Sequence, residues 1–475
     1  MNAAQGPIGP ILIVDDIREG RVCLAALIVM TSGELPTPLD TPEGPVQPER
    51  LARYREVDVF RARFSVPADR PSDYRWRGES FDLAGLGPDM RIAYVSCNGE
   101  EHGDLDRPNE ERNVMWSRLA QDHETFPFSL LLHGGDQVYA DEVTHGHPMS
   151  EDWPDRIPRD PSRADLGNLR THLRERFMER YLAVYRCPGM AHVMARVPSL
   201  MQWDDHDICD GWGSLRRSRT YSPVGQTLFD TAREAALLFQ HGTVDGDLPG
   251  RFADPLGLHL GWSVAALGLR ILGPDLRSER SRREVMGARG WTWIEAESRK
   301  AAPGRTLVMS SVPLLGPRLS LLELLMVLMP SMQKYEDDLR DQWQSRAHRG
   351  SWIQMLETMA RIAAPEGQDV TVLSGEIHLA TRGEMALPNG KPMHQLVASG
   401  IAHRAPPKAW ARALGALAWM GESPLPGHKV RILPIPGQPR RYVAERNYLT
   451  VETSGQDWSA RWVFEESGRS PALAL

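Results

Sequence analysis

Six short apolar segments, each running into glycine or into polar residues, are the feature that most limits what this chain can fold into. Such a segment is typical of a buried strand whose carboxyl end carries ligand-binding residues. The segments are RIAYVSCNGE, FSLLLHGGDQVY, SLMQWDDHD, GLRILGPDLRS, TLVMSSVPLL and DVTVLSGEIH. Amphipathic helices are predicted between them, over residues 168–185, 231–239, 291–300 and 352–363. Strands alternating with helices predict a layered α/β domain.

The amino-terminal part has a different texture. Up to residue 88 it consists of short apolar runs broken by Pro- and Gly-rich stretches, a pattern typical of strands and turns. We therefore expect a small β-sandwich over residues 1–88 and a catalytic domain over residues 89–475. Within the second part, residues 448–464 predict a closing hairpin, and the Pro-rich residues 424–441 predict a surface loop.

Composition excludes several classes of function. The net charge is −7 without a dense Lys/Arg stripe, so nucleic acid is not an expected partner. The four cysteines form no CxxC pair, which excludes a disulfide framework and fits a reducing compartment. The amino terminus lacks the basic region of a signal peptide, and the apolar stretch 319–329 is too short to span a bilayer. We expect a cytoplasmic protein without a transmembrane segment; the sequence does not indicate its oligomeric state.

The strongest local motif is Gly134-Gly135-Asp136 directly after an apolar run. An acidic residue that leaves a strand through glycines can face a ligand without crowding it, so Asp136 is the first candidate metal ligand. Tyr139 could supply a phenolate, which ferric iron favours. The alternative is an ordinary turn followed by a buried aromatic residue.

Two further strand ends carry candidate ligands. In the run from Asp204 to Asp207, three carboxylates surround His206, and a cation would relieve their repulsion. Asp205 is the expected ligand of this run and His206 the expected participant in chemistry; a solvated acidic loop is the alternative. Glu376 and His378 stand two apart and can share one face of an extended segment. Cys97 offers a thiolate, although a lone cysteine on an apolar strand is more often inert.

In the order Ser-Cys-Asn, Gly-Gly-Asp-Gln-Val-Tyr, Trp-Asp-Asp-His-Asp and Ser-Gly-Glu-Ile-His, these motifs resemble the alkaline phosphatase D family of metallophosphoesterases. Asp275-Leu276-Arg277-Ser278-Glu279-Arg280 and Asp341-Gln342-Trp343 are similar to further family motifs. The resemblance covers most of the chain. It implies a calcineurin-like, four-layer αββα catalytic core behind the β-sandwich.

The same resemblance implies a set of ligands. Cys97, Asp136 and Tyr139 match the family's iron ligands, so the expected cofactor is Fe3+ with one or more divalent ions, Ca2+ being expected and Mn2+ or Zn2+ the alternatives. Asp205 and His206 match the Asn and the catalytic His of the superfamily motif Gly-Asn-His-Glu. His378 matches the last histidine of the superfamily motif Gly-His-x-His. Glu376 departs from the pattern, because the family usually has Asp at this position and the superfamily His. A third position, Ser311, replaces a histidine.

The expected function is metal-dependent hydrolysis of phosphomonoesters or phosphodiesters by a metal-held hydroxide, with a small-molecule or lipid phosphate ester as substrate. His206, and Arg277 or His403, would stabilise the phosphoryl oxygens or the leaving group. For Arg277 and Arg280 the alternative is a structural ion pair with Asp275.

Two other functions stay open. The first is a non-catalytic, metal-binding scaffold of the same fold, because a fold does not establish activity. The second is a lipid-directed phosphodiesterase, because residues 319–329 and 406–420 are apolar segments that could form an interfacial lid. Burial of both segments against the core is the simpler explanation.

Overall fold

A computed structural model describes residues 6–301, 304–317, 341–375, 377–419 and 421–475. The strands of these residues are β1 (Ile8–Arg18), β2 (Arg21–Thr31), β3 (Leu39–Thr41), β4 (Gly44–Val46), β5 (Glu49–Arg53), β6 (Val57–Pro67), β7 (Ser72–Trp76), β8 (Glu79–Leu83), β9 (Arg91–Val95), β10 (Leu130–His133), β11 (Ser199–Met201), β12 (Trp262–Ala266), β13 (Leu269–Gly273), β14 (Gly304–Met309), β15 (Gln368–Ser374), β16 (Ala380–Ala386), β17 (Pro392–Val397), β18 (Glu422–Leu425), β19 (His428–Leu433), β20 (Tyr442–Val443), β21 (Asn447–Ser454), β22 (Asp457–Phe464), β23 (Gly468–Arg469) and β24 (Leu473–Ala474). The α-helices are α1 (Asn109–Arg112), α2 (Val114–Thr125), α3 (Arg163–Tyr185), α4 (Pro188–Met194), α5 (Arg217–Thr220), α6 (Pro223–Ala235), α7 (Ala288–Ser298), α8 (Arg349–Ala363) and α9 (Lys408–Ala418).

Two large sheets form the centre of the molecule. The first has the strand order β23-β22-β21-β9-β10-β11-β1-β2-β6-β5, with β24 paired to β22. The second has the order β12-β13-β14-β15-β17-β16-β19-β18, with β20 paired to β16. Neighbours from β9 to β1 and from β13 to β17 run parallel. A small sheet of order β4-β3-β7-β8 lies in the amino-terminal part.

The alternation of side chains along the second sheet shows how the layers pack. Leu307 and Met309 of β14 lie in a core shared with the first sheet, whereas Val308 between them lies in a core with helices α7 and α8. Successive strand residues point to opposite faces, so the second sheet is covered by the first sheet on one side and by helices on the other. Trp116 of α2 and Phe177 of α3 lie in the core of the first sheet. The α/β fold expected from the sequence is confirmed, with helices on both outer faces.

The amino-terminal strands continue the first sheet. β1 pairs in parallel with β11 at Ile13 and Ser199, and β2 and β6 follow it in antiparallel order. The buried residues of β1, β2 and β6 belong to the same apolar core as β9 and β10. A domain boundary at residue 88 therefore stays a prediction, and it would divide one hydrogen-bonded sheet.

All six predicted strand segments form strands, and the predicted helices form with earlier starts. α3 begins at Arg163 because Ser162 and Asp165 make a reciprocal capping box. α6 begins at Pro223, where the Ser222 hydroxyl accepts a hydrogen bond from the backbone of Gly225. The predicted hairpin at residues 448–464 is formed by β21 and β22.

The predicted surface loop at residues 424–441 is wrong in its first half. β18 and β19 form a hairpin there that joins the second sheet through β16. Val430 and Ile432 alternate with exposed residues and are buried in the core under the helices. Period-two alternation overrides the prolines that flank it.

Among the described residues, no helix combines the length and the apolar character that a bilayer crossing requires. The stretch 319–329 lies outside the described residues.

Candidate metal centre

Strand order brings the predicted ligands together. β9, β10 and β11 are parallel neighbours, so Cys97, Asp136 and the run from Asp204 to Asp207 leave the same edge of the first sheet. β15 of the facing sheet ends at Ser374 and delivers His378 to the same place. Residues from both sheets thus meet at one cluster.

Cys97, Asp136 and His378 form the inner group of this cluster. Each offers a donor atom, and these atoms all lie within 4.8 Å of one another. Cys97 Sγ lies 3.4 Å from Asp136 Oδ2. All three residues have left-handed backbones, with φ of 53°, 53° and 52°. Non-glycine residues rarely adopt this conformation, and it concentrates at functional sites where the surrounding fold holds the strain.

The two glycines before Asp136 allow the close approach. A Cβ at Gly134 would lie 1.8 Å from the Tyr94 hydroxyl, and a Cβ at Gly135 would lie 2.7 Å from Cβ of Asp204. Gly135 also has a φ of 114°, which side chains disfavour. The Gly-Gly-Asp motif therefore serves packing and backbone geometry at the point where the ligands converge.

Asp136 is a buried carboxylate with an unsatisfied oxygen. Its Oδ1 has no hydrogen-bond partner among the described residues. Burial, followed by the neighbouring carboxylates of Asp204 and Asp205, raises the pKa of Asp136 well above its usual range, although His206 lowers it. A buried carboxylate in this position is stabilised as an anion when a cation binds it. The environment of Asp136 thus fits a metal ligand.

Tyr139 connects the inner group with His206. Its hydroxyl lies 3.0 Å from Nε2 of His378, and its ring stacks on the ring of His206 with a centroid distance of 4.3 Å. Burial, together with the nearby Cys97 and Asp136, raises the pKa of Tyr139 well above its usual range. Tyr139 would therefore act as a phenolate only beside a cation.

Asp136, Asp204 and Asp205 form a second group, with donor atoms within 4.8 Å of one another. Asp204 Oδ1 accepts a hydrogen bond of 2.7 Å from the hydroxyl of Ser311, the residue that replaces a superfamily histidine. Asp205 Oδ2 accepts a hydrogen bond of 2.9 Å from the backbone of Gly211. The second group is rich in oxygen, whereas the first contains sulfur and nitrogen.

Arg277 lies behind the second group and is completely buried. Its guanidinium pairs with Asp204, with Asp205 at 3.2 Å and with Asp341 at 2.6 Å. The alternative left open by the sequence, an ion pair of Arg277 with Asp275, does not form, because that carboxylate accepts backbone hydrogen bonds from Arg277 and from Ser278. With no exposed surface, Arg277 has the arrangement of a positioning residue rather than of a phosphate contact. Arg280 also pairs with Asp341, at 3.0 Å.

His206 is held by a residue that the sequence analysis did not single out. Its Nδ1 lies 3.0 Å from Asp141 Oδ2, so Nε2 is the ring nitrogen left for other contacts. Burial alone would lower the pKa of His206, but Asp141 and Asp205 raise it well above its usual range. Asp141 stands five residues after Asp136, just beyond the Gly-Gly-Asp-Gln-Val-Tyr motif, and its partner becomes evident only in the folded chain.

Asp207 is structural. Its carboxylate accepts hydrogen bonds from the backbone of Val138 and Asp204 and from the side chain of Gln240. Burial raises the pKa of Asp207 to about 7, although these backbone donors oppose the shift.

Glu376, predicted as a metal ligand, lies outside the described residues.

Glu101, His403 and Ser399 surround His378 and complete the site. The rings of His378 and His403 stack with centroids 3.4 Å apart. Ser399 Oγ accepts the backbone hydrogen bond of His378 at 2.9 Å and lies 3.2 Å from Cys97 Sγ. Glu101 and Ser399 were missed in the sequence, since neither stands in a motif whose spacing indicates a ligand.

Comparison with known proteins gives three findings. Residues 109–335 match the model of the family described as PhoD related phosphatase. The uncharacterized protein YGR266W of Saccharomyces cerevisiae is 25% identical over 386 residues, which covers 68% of this chain and 53% of that protein. The match thus spans about half the length of this relative. The solved structure of PhoD aligns with 100% of this chain and 90% of its own, at a TM-score of 0.60 and 12% identity.

The structural alignment, at 12% identity, shows a shared fold. The family match covers the motifs from Asp136 to Ser311. Both findings agree with the resemblance noted in the sequence. The chain is thus similar to PhoD-related phosphatases over residues 109–335 and to PhoD in its fold.

Proposed function

We propose that this chain hydrolyses phosphate esters with the help of metal ions bound by Cys97, Asp136 and Asp205. The observation that carries the proposal is the convergence of three strained strand ends on the unpartnered oxygen of Asp136. The PhoD-like family and the fold support the same reaction class.

The donor sets suggest which ions would bind. The inner group offers sulfur from Cys97, nitrogen from His378 and the phenol of Tyr139, a combination that favours iron or another transition metal. The second group offers the carboxylates of Asp136 and Asp205, which favour a hard divalent ion such as Ca2+ or Mn2+. We therefore keep Fe3+ with a divalent partner as the proposed cofactor. When bound, such ions supply Lewis-acid stabilisation of the negative charge on a phosphoryl group.

The residues of the chain divide the remaining work. His206, oriented by Asp141 and by the ring of Tyr139, would present Nε2 to a phosphoryl oxygen or to the leaving oxygen and donate a proton there. Arg277 would hold Asp204 and Asp205 in place from behind. We propose it as a positioning residue, which replaces the phosphate contact expected from the sequence.

The preference between monoesters and diesters stays a prediction, and so does a lipid substrate. α9 buries Ala411, Leu414 and Ala418 and exposes Trp419 at its carboxyl end, so this part of the segment 406–420 has one packed face. A scaffold without activity is the second candidate, favoured by Ser311 in place of a histidine ligand.

The test compares wild type with Asp136→Asn, which keeps the size of the side chain and removes its charge. Iron and divalent-metal content are measured on both proteins, together with hydrolysis of an aryl phosphomonoester and an aryl phosphodiester. We expect the substitution to reduce bound metal and to lower hydrolysis by on the order of 100-fold or more. Asp245→Asn is the matched control, because Asp245 forms an exposed pair with Arg233.

Equal metal content and equal hydrolysis in wild type and Asp136→Asn would contradict the proposed centre. A wild-type protein that holds its metals but turns over neither ester would favour the scaffold.

A further inference from the structure

The buried hydroxyl of Ser399 contacts two of the three inner-group residues. Ser399 Oγ lies 3.2 Å from Cys97 Sγ and accepts a 2.9 Å hydrogen bond from the backbone N–H of His378. Ser399 is 1% exposed and Cys97 is completely buried, so bulk water does not compete for either group. The proposed reaction gives Ser399 no task, although its oxygen lies between a ligand from the first sheet and one that follows the second.

The hydrogen bond from His378 decides which group donates in the contact with sulfur. A serine oxygen accepts through its lone pairs and has one hydrogen of its own to donate. A backbone N–H only donates, so the contact with His378 leaves the hydroxyl hydrogen of Ser399 unused. The thiol hydrogen of Cys97 has another acceptor, Asp136 Oδ2 at 3.4 Å. In the contact between Ser399 and Cys97, the hydroxyl is therefore the donor and the sulfur the acceptor.

The loop that carries Ser399 is hydrogen-bonded to the strand end that carries Cys97. The backbone N–H of His403 donates to the carbonyl of Cys97 at 3.1 Å. On the other side of Ser399, the carbonyl of Ala398 accepts a 3.0 Å hydrogen bond from the hydroxyl of Ser96. These two attachments flank Ser399, so its hydroxyl is held beside the sulfur by the surrounding structure.

A hydrogen bond to a thiolate changes the electronic properties of the centre. Cys97 binds a cation only after losing its proton, and a hydroxyl that donates to the sulfur stabilises the negative charge there. The sulfur then gives less electron density to the cation. Hydrogen bonds to sulfur are one of the means by which proteins tune metal–thiolate centres. A cation that keeps more of its positive charge is also the better Lewis acid.

We propose that Ser399 is a positioning residue of the metal centre, whose hydroxyl donates a hydrogen bond to the Cys97 thiolate and lowers the electron donation of the sulfur to the bound cation. The backbone N–H of His378 keeps this hydroxyl oriented. The inference rests on the proposed function in one respect, the binding of a cation by Cys97. It does not depend on which ester the chain hydrolyses.

Absorption spectra of the Co2+-loaded protein test the proposal. A thiolate bound to Co2+ gives a sulfur-to-metal charge-transfer band, and a hydrogen bond to the sulfur raises the energy of that band. Full-length wild type, Ser399→Ala, Ser399→Thr and Ser96→Ala are freed of metal, loaded with Co2+ and compared. We expect the band of Ser399→Ala to shift to longer wavelength with Co2+ per chain unchanged. Ser399→Thr should keep the wild-type band, because threonine keeps the hydroxyl.

Ser96→Ala is the matched control. Ser96 is adjacent to Cys97 and 1% exposed, and its hydroxyl donates to a backbone carbonyl. This variant therefore loses a buried hydrogen bond next to the centre without changing the contact to sulfur, and its band should stay at the wild-type wavelength. An equal shift in Ser96→Ala and Ser399→Ala would overturn the proposal, because the band would then report local packing.

Bands at one wavelength in wild type and Ser399→Ala would overturn the proposal and leave Cys97 as a ligand. A wild type without a charge-transfer band would overturn both the proposal and the assignment of Cys97 as a ligand. Resonance Raman spectra of the Co2+-loaded wild type in H2O and in D2O need no variant: a shift of the cobalt–sulfur stretch in D2O supports the hydrogen bond, and an unchanged stretch overturns it. Absence of hydrolysis in wild type, with the shift in Ser399→Ala present, would count against the proposed function alone.

Discussion

At the scale of single residues, the site combines buried carboxylates with a buried guanidinium that pairs with them. Asp136, Asp204, Asp205 and Asp341 lie at or near full burial, and Arg277 is the completely buried cation that contacts three of them. Breaking a buried ionic network by removing one partner leaves the other charges uncompensated. The guanidinium is therefore a structural requirement of the proposed metal centre and also orients Asp204.

Replacing Arg277 should destabilise the fold strongly. We expect Arg277→Met to lower the free energy of unfolding of the metal-free protein by about 3–5 kcal/mol, because three carboxylates lose their buried partner. Urea denaturation measures the change. Arg289→Met is the control, since Arg289 is 55% exposed and pairs with Glu279 at 3.5 Å; its effect should stay within about 0.5 kcal/mol. Similar shifts in both variants would contradict the network.

At the scale of elements, a neutral histidine of helix α2 forms a hydrogen bond with the segment that leads into strand β10. The ring of His123, on α2, accepts a 3.1 Å hydrogen bond at Nδ1 from the backbone of Phe128. Burial, followed by the proximity of His192, lowers the pKa of His123 to about 4. The unfolded value is about 6.5, so the unfolded chain takes up the proton first as the pH falls. The contribution of His123 to stability is complete above about pH 6.5 and is lost between pH 6.5 and 4.

Asparagine at this position should remove that dependence, because its side-chain oxygen can accept the same hydrogen bond without titrating. We expect wild type to lose about 1–2 kcal/mol more stability than His123→Asn between pH 7 and pH 5. Denaturation at the two pH values measures the difference. His102→Asn, at an exposed position, should keep the wild-type dependence. A parallel loss in wild type and His123→Asn would contradict this assignment.

Element boundaries show what local sequence encodes. The capping box at Ser162 and Asp165 was visible in the sequence and would have moved the start of α3 to its observed place. The hairpin of β18 and β19 was missed because prolines and glycines outweighed the short alternation around Val430. Whether a short alternating segment forms a strand depends on an available edge, and β16 supplies that edge.

At the scale of the whole molecule, one sheet includes strands from both ends of the chain. The first sheet runs from β5 through β1 and β9 to β21 and β22, so the amino-terminal strands and the carboxyl-terminal hairpin share its core. Ile13 on β1 is completely buried at the junction with β11. We therefore expect cooperative unfolding of the two parts.

Ile13→Ala tests this cooperativity. Deleting the buried side chain should cost about 2–5 kcal/mol, and the loss should appear as a lower midpoint of one transition for the whole chain. Calorimetry, together with the fluorescence of Trp76 in the amino-terminal part and of Trp462 in the carboxyl-terminal hairpin, follows both parts at once. Two resolved transitions, of which only one moves, would instead support an independent domain up to residue 88.

The sequence by itself determined the strands, most of the helices and the chemical types of the candidate ligands. Glycine, acidic and histidine residues at strand ends are encoded within a few positions, so Asp136, Asp205 and His206 could be singled out before any fold was known. Only the tertiary structure decided which residues meet. Glu101 reaches His403 across 302 positions and Arg277 reaches Asp204 across 73, because facing sheets and buried charges, not local pattern, bring them together. Burial is likewise the reason for proposing Arg277 as a positioning residue, since exposure of a side chain depends on everything that packs around it.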